Sequence, residues 1–217
     1  MKRIFSMMLA IITTAGVLVA QPNTKDPKAG AILDEMSKKY KELPSFKAKF
    51  AYTLESPMAN MKETSEGEII VKGGKFHLKM GGQEIINNGT TVWTYLKDAN
   101  EVNVSSYEPD EDDITPTKIY SIYKNGYKYY HVEEVTIAGK TYDVIELVPE
   151  NLKTSLIKIR MEIDKKEKTI KGWKIFEKNG NRYTYEVKSF DPNYKATDAE
   201  FNFDTSKYPK VEVVDLR

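Results

Sequence analysis

The chain has 217 residues and a formal net charge of +1, from 33 basic and 32 acidic side chains. That length suits one sizeable domain and not two. The even charge argues against nucleic-acid binding, which calls for a basic excess gathered on one face. Charged residues make up 30% and hydrophobic residues 40%, the balance of a folded soluble protein. Cysteine is missing, which excludes thiol catalysis, disulfides, cysteine–zinc sites and lipid attachment through an N-terminal cysteine. His77 and His131 are the only imidazoles, too few for a His-rich metal site or relay.

At the N-terminus, Lys2 and Arg3 precede an apolar run from Ile4 to Ala20, broken only by Ser6, Thr13, Thr14 and Gly16. A basic start, an apolar stretch and a small residue before Gln21-Pro22 match a secretory signal peptide over residues 1–20. The run lies at the short edge of a membrane-spanning helix, so a retained anchor is the weaker alternative. Leu18 is an imperfect match to the small-residue rule at its position and leaves the cleavage point open. Cleavage would remove Lys2 and Arg3 and no acid, turning the net charge from +1 to −1. Residues 21–217 are then expected to form a single exported, soluble domain.

Along that domain, Asp26 reads as an N-cap and Pro27 as the first residue of a helix. Ala29, Ile32, Leu33, Met36, Tyr40 and Leu43 recur at helical spacing until Pro44 stops it. Phe46, Ala48, Phe50, Tyr52 and Leu54 alternate with polar residues as a long first strand. A turn over residues 57–60 puts Met58 and Met61 at a hairpin tip, and Ile69/Val71 and Phe76/Leu78/Met80 follow. Asn87-Asn88-Gly89 is a hairpin signal leading into Trp93/Tyr95, and a second turn returns the chain along Val102/Val104.

The acidic residues Glu108, Asp110, Glu111, Asp112 and Asp113 lack the spacing of a calcium loop. They read as a solvated loop favouring the start of a second helix, capped by Thr115, opened by Pro116 and striped by Ile119, Ile122 and Tyr123. Tyr120, Tyr123, Tyr127, Tyr129 and Tyr130 read as packing between helix and sheet. Strands follow over residues 129–137, 142–148, 156–163, 169–177 and 182–190, and residues 201–203 and 211–214 close the chain. About ten or eleven antiparallel strands with no βαβ rhythm point to an α+β protein, a strongly curled sheet or barrel with helices at its open end.

No nucleophile elbow, H-E-x-x-H, P-loop or G-x-G-x-x-G occurs in the chain. His77 alternates with Phe76 and Leu78 and is expected on the solvated face, and His131 sits in a tyrosine-rich strand. No cofactor, metal or reaction is expected. A closed sheet of this size can hold a ligand as well as its own side chains.

Several blocks, in order, resemble one family. Leu43-Pro44-Ser45-Phe46-Lys47-Ala48-Lys49-Phe50 resembles the s-F-x-A-x-F first strand of the LolA family, the periplasmic carriers of outer-membrane lipoproteins. Gly67-Glu68-Ile69-Ile70-Val71-Lys72 with Phe76-His77-Leu78 is similar to its G-x-l-x-v-k…F-x-W hairpin, and Asn88-Gly89 through Trp93-Thr94-Tyr95 to its D-G-k-t-l-W-x-Y. Phe201-Asn202-Phe203 and Val211 to Arg217 resemble its closing F-x-F…V-x-V-x-D-x-R. The resemblance implies an incomplete antiparallel barrel with helices as a lid over an apolar cavity. It also implies a non-catalytic monomer that takes acylated lipoproteins from an inner-membrane ABC transporter to an outer-membrane receptor. A receptor or envelope-stress sensor of the same fold is the alternative. The missing cysteine counts against the receptor, and the single domain against two-domain sensors.

Sheltering an acyl chain gains about 0.8 kcal/mol per buried CH₂ and needs apolar surface, not chemistry. The strand residues expected to offer it are Phe50, Tyr52, Leu54, Ile69, Val71, Phe76, Leu78, Met80, Trp93 and Tyr95. Ile157, Ile159, Met161, Ile163, Trp173, Ile175, Tyr183 and Tyr185 complete that set. The lid is expected from Ile32, Leu33 and Met36 on the first helix and Ile119, Ile122 and Tyr123 on the second. One departure stands out: Lys72-Gly73-Gly74 replaces the family's Lys-Arg-Pro, whose arginine is associated with latching the lid. Closure is therefore expected to rest on apolar contact.

Overall fold

Tight turns join nearly every strand to the next, so neighbours in sequence become neighbours in space. The computed structural model describes residues 25–108 and 114–217. The expected leader and residues 109–113 of the acidic stretch lie outside the described residues. Helix α1 (Pro27–Glu42) is followed by β1 (Phe46–Ser56), β2 (Met61–Lys72), β3 (Lys75–Met80), β4 (Gln83–Asn87), β5 (Thr91–Leu96) and β6 (Glu101–Ser106). Then come β7 (Tyr127–Ile137), β8 (Lys140–Pro149), β9 (Leu156–Asp164), β10 (Ile170–Glu177), β11 (Arg182–Asp191) and β12 (Glu212–Asp215). Two meanders, β1–β6 and β7–β11, join where β1 pairs with β11.

The result is one 12-stranded sheet in the order β12-β6-β5-β4-β3-β2-β1-β11-β10-β9-β8-β7. It corrects the expected barrel. The sheet neither closes nor curls strongly, and it is mixed, because β12 runs parallel to β6. Closure would require β7 and β12 to pair. Part of β7's outer edge is already occupied: the Asp26 N–H donates to the Tyr129 carbonyl at 3.0 Å, and the His131 N–H donates to the Asp26 carboxylate at 2.9 Å. β12 is only four residues long. Hairpin rhythm in a sequence determines adjacent pairs and is silent on whether the outermost strands meet.

The covering elements also differ. The first helix forms as expected, with the Lys28 N–H donating to the Asp26 carboxylate at 2.8 Å and Pro27 opening it. The expected second helix does not form. The chain from Thr115 makes turns (Ile119 N–H to Thr115 O, 3.1 Å; Ser121 N–H to Lys118 O, 2.8 Å) and ends in a single 3₁₀ turn, Ile122–Lys124. So short a run, rich in Thr, Ile and Tyr, lacks the intrinsic propensity to hold a helix. Residues 201–203, expected as a strand, form none: Phe201 ends a 3₁₀ turn, Asp198–Phe201, closed by a capping box between Thr197 and Glu200, and Asn202 and Phe203 follow it.

Cross-strand partners share a face, so register sorts the side chains into two layers. On the near face, Ala29, Ile32, Leu33, Met36 and Tyr40 of α1 cluster with Ile145, Leu147, Ile159, Met161 and Ile163, all buried. Tyr40 is the centre of this layer. Its hydroxyl accepts the Ile170 backbone N–H at 3.1 Å, and its ring stacks on Tyr120 (5.1 Å between centroids, 4° between planes) and touches Phe46 and Phe190. On the far face, Ile70, Ile86, Val102 and Val104 are buried, as is Phe201 of the C-terminal segment. There Tyr208 stacks on Phe203 and packs against Tyr95.

His77, expected to be solvated, faces this second layer and bonds the Glu84 carboxylate, which also accepts the Tyr208 hydroxyl at 2.8 Å. Burial works against ionisation of Glu84, but the His77 and Tyr208 hydrogen bonds and the Lys79 ammonium prevail and hold its carboxyl down to about 2.

Two outcomes follow. Tyr40→Phe keeps the packing but strands the buried Ile170 N–H, and should lower stability by about 1–3 kcal/mol in urea unfolding. Glu84 has a folded-state pKa below its ordinary 4.5. Its contribution is therefore complete above pH 4.5 and fades as pH falls toward 2. Glu84→Gln should flatten that part of the stability–pH curve.

Candidate functional site

Between the near face and the segment after residue 113 lies an apolar cavity of about 230 Å³. Its floor comes from adjacent strands: Phe46, Ala48 and Phe50 of β1, Ile69 and Val71 of β2, and Leu78 and Met80 of β3. Ile170, Trp173 and Ile175 of β10 and Tyr185, Val187 and Phe190 of β11 extend it. Tyr40 closes one side, and Ile114, Thr115, Pro116, Ile119 and Tyr120 close another. None of these residues carries a charge at neutral pH. Burial pushes the phenols of Tyr40, Tyr120 and Tyr185 up, that of Tyr185 to about 12, so all three stay neutral. The Trp173 indole N–H, buried at this wall, has no hydrogen-bond partner among the described residues.

Strand geometry accounts for the wall. Gly172 lets β10 approach β11: a Cβ there would lie 2.6 Å from the Tyr185 carbonyl oxygen. Trp173 then stacks on Tyr185 (4.7 Å, 12°). A register shift between Lys49 and Phe50 inserts Lys188 unpaired on β11, so Val187 and Phe190 reach the same cavity.

The residues expected from the sequence divide into groups. Phe50, Ile69, Val71, Leu78, Met80, Trp173, Ile175 and Tyr185 line the cavity. Tyr52, Leu54 and Tyr183 share its face beyond the lining and remain half-buried. Phe76, Ile159, Met161 and Ile163 lie in the packed core beside it. Trp93 and Tyr95 stand on the far face, in register with Ile86 and Val102/Val104. Ile157 is 46% exposed.

Of the expected lid, Ile119 lines the cavity, whereas Ile32, Leu33 and Met36 do not line it and are buried in the core cluster that also holds Ile145 and Leu147 of β8 and Ile159 and Met161 of β9. Tyr123 is buried and donates its hydroxyl to Asp34 of α1, and Ile122 is half-buried. Sequence reasoning missed Tyr40, Ile114, Thr115, Pro116, Tyr120, Phe46, Ala48, Ile170, Val187 and Phe190 as lining residues. The strand rhythm already carried Phe46 and Ala48. The bulge hid Phe190, because strict alternation places it opposite Val187.

One group of possible metal ligands gathers among the described residues: His131, Glu134 and Asp143, with donor atoms within 4.8 Å of one another. Ammonium groups already compensate it. Lys28 Nζ lies 3.4 Å from both His131 Nδ1 and Glu134 Oε1, and Lys165 Nζ 2.7 Å from Glu134 Oε2. A lysine can only donate, so Nδ1 accepts and Nε2–H points to Asp143 at 2.9 Å. The cluster ties the first turn of α1 to β7.

The sequence pattern of the family described as outer membrane lipoprotein carrier protein LolA matches residues 41–204. The chain belongs to the LolA family. That family consists of soluble periplasmic carriers that perform no catalysis, and a general shielding role for this member accords with its apolar cavity. Among solved structures, an uncharacterized conserved protein from Thermus thermophilus is similar at 13% identity and a TM-score of 0.58, covering 86% of this chain and 98% of that one. LprF from Mycobacterium bovis is similar at 12% identity and a TM-score of 0.49 (80% and 98% covered). A LolA superfamily protein from Nitrosomonas europaea is similar at 12% and 0.44 (81% and 98%). No curated protein sequence matches the chain.

Gly73 sits in the turn between β2 and β3. It borders a small hollow with Tyr40, Leu43 and Tyr120, beside the elements that cover the cavity. Its φ of +58° favours glycine, although a Cβ there would meet nothing within 4 Å. Gly73→Arg should therefore cost about 1 kcal/mol through backbone strain alone. Gly73→Asn, which tolerates this conformation, should cost less, and urea unfolding of the two variants checks it.

Proposed function

We propose that this protein is an exported carrier that shields the acyl chains of lipoproteins and moves them from the inner to the outer membrane. In this reading residues 1–20 are its cleaved leader. The cargo comes from an inner-membrane lipoprotein-releasing ABC transporter and goes to an outer-membrane receptor. The observation that carries the reading is the uncharged cavity beneath Tyr40 and residues 114–120. Each methylene moved into it from water contributes about 0.8 kcal/mol.

Size sets the mode of action. A cavity of roughly 150 Å³ accepts benzene, so 230 Å³ takes part of an acyl chain and not a whole lipid anchor. Loading therefore requires the cover to lift. Residues 114–121 are held by turn hydrogen bonds and apolar contact, without the continuous ladder of a helix, which suits them to the task. The unpartnered Trp173 N–H supplies a donor for an ester carbonyl of the cargo.

Displacement of a fluorescent acyl probe tests this. Ile119→Asp should weaken probe binding at least tenfold with a cooperative melt retained. Trp93→Phe, on the far face, should leave affinity unchanged. Native mass spectrometry of protein from the cell envelope should show acylated polypeptides bound. Failure of the wild type to bind either probe or acylated polypeptide would overturn the proposal.

A further inference from the structure

β2 contains a glycine in its buried middle, a residue that weakens a strand and leaves nothing to pack. Gly67 is not there for conformational freedom: its backbone is ordinary strand, paired with Phe50 of β1 on one side and Met80 of β3 on the other. Space explains it. A Cβ at position 67 would lie 2.4 Å from Phe50 Cζ, 2.7 Å from Cε2 and 3.0 Å from Cε1. The Phe50 ring therefore lies across β2, its far edge seated on the bare α-carbon of Gly67.

Phe50 is also a cavity wall, bounded by Met80 on β3 and by Tyr185, whose ring centroid is 6.1 Å away. A side chain at position 67 would project from the same face and lift the ring off the sheet. The space above the ring is the cavity. A cavity of roughly 150 Å³ is filled by one benzene, so an erect phenyl group would take a large share of 230 Å³.

We infer that the Gly67–Phe50 pair is the gauge of this cavity, with the seated ring setting how long an acyl chain the protein accepts. This rests on the carrier reading and adds to it a determinant of chain length. Gly67→Ala raises the ring and shortens the preferred chain. Phe50→Leu in the Gly67→Ala background removes the ring and restores room.

The experiment is displacement of a fluorescent acyl probe by saturated fatty acids of increasing length, on the wild type, Gly67→Ala, Phe50→Leu and the double variant. Gly67→Ala should lose about tenfold in affinity for the longest chains, the worth of roughly two methylenes, and keep affinity for the shortest. The double variant should regain the loss. Phe50→Leu alone, which places no new atom against the backbone, should shift the optimum toward longer chains and decides the matter if Gly67→Ala does not fold. Length profiles superimposable on the wild type in folded variants would overturn this inference and leave the carrier reading standing. A wild type that binds no member of the series would overturn both.

Discussion

A buried phenol holds the near side of this protein together. The Tyr40 hydroxyl accepts the backbone N–H of Ile170, which begins β10, and its ring stacks on Tyr120 and meets Phe46 and Phe190. One side chain thereby ties α1 to three strands and to the segment that covers the cavity. A buried N–H is costly to leave unpaired, so the helix cannot slide without exposing that cost. The cavity exists because α1 reaches the sheet at this point and buries its remaining apolar stripe in the core cluster, leaving the floor from β3 to β10 to be roofed by irregular chain.

The two faces of the sheet are employed differently. The far face is closed by the C-terminal segment through Phe201, Phe203 and Tyr208, whose hydroxyl donates to the Glu84 carboxylate that also pairs with His77. The near face is only partly filled. Regular packing would have closed it, since protein interiors normally tolerate few voids. Here Gly67 and Gly172 let aromatic rings and strands lie close, keeping the floor flat while the roof stays shallow and lightly bonded.

Part of this is legible in the sequence. Asp26-Pro27 and the stripe from Ala29 to Tyr40 specify α1, because capping and helical spacing are local properties. Eight of the residues expected to meet an acyl chain do line the cavity, because strand alternation reports which residues share a face. Alternation is silent on which face is which. Trp93 and Tyr95 are as aromatic as Trp173 and Tyr185, yet the C-terminal segment claims them, and β5 and β10 carry no mark that separates them.

By itself, then, the sequence determined the hairpin-rich β architecture, the capped first helix, the absence of cysteine chemistry and the family resemblance, all of which rest on local patterns and short-range order. Tertiary structure decided the rest. The sheet stays open because Asp26, distant in sequence, occupies hydrogen-bonding groups on the edge of β7 that closure would have used. Residues 115–124 give up their helix because burying Ile119, Tyr120 and Tyr123 against α1 and the sheet outweighs weak local propensity. Nothing local marks why a glycine stands at position 67 in mid-strand; the Phe50 ring lying across it supplies the reason. Long-range packing selects among locally acceptable conformations, and those choices made an open sheet with a roofed hollow out of a pattern that reads equally well as a barrel.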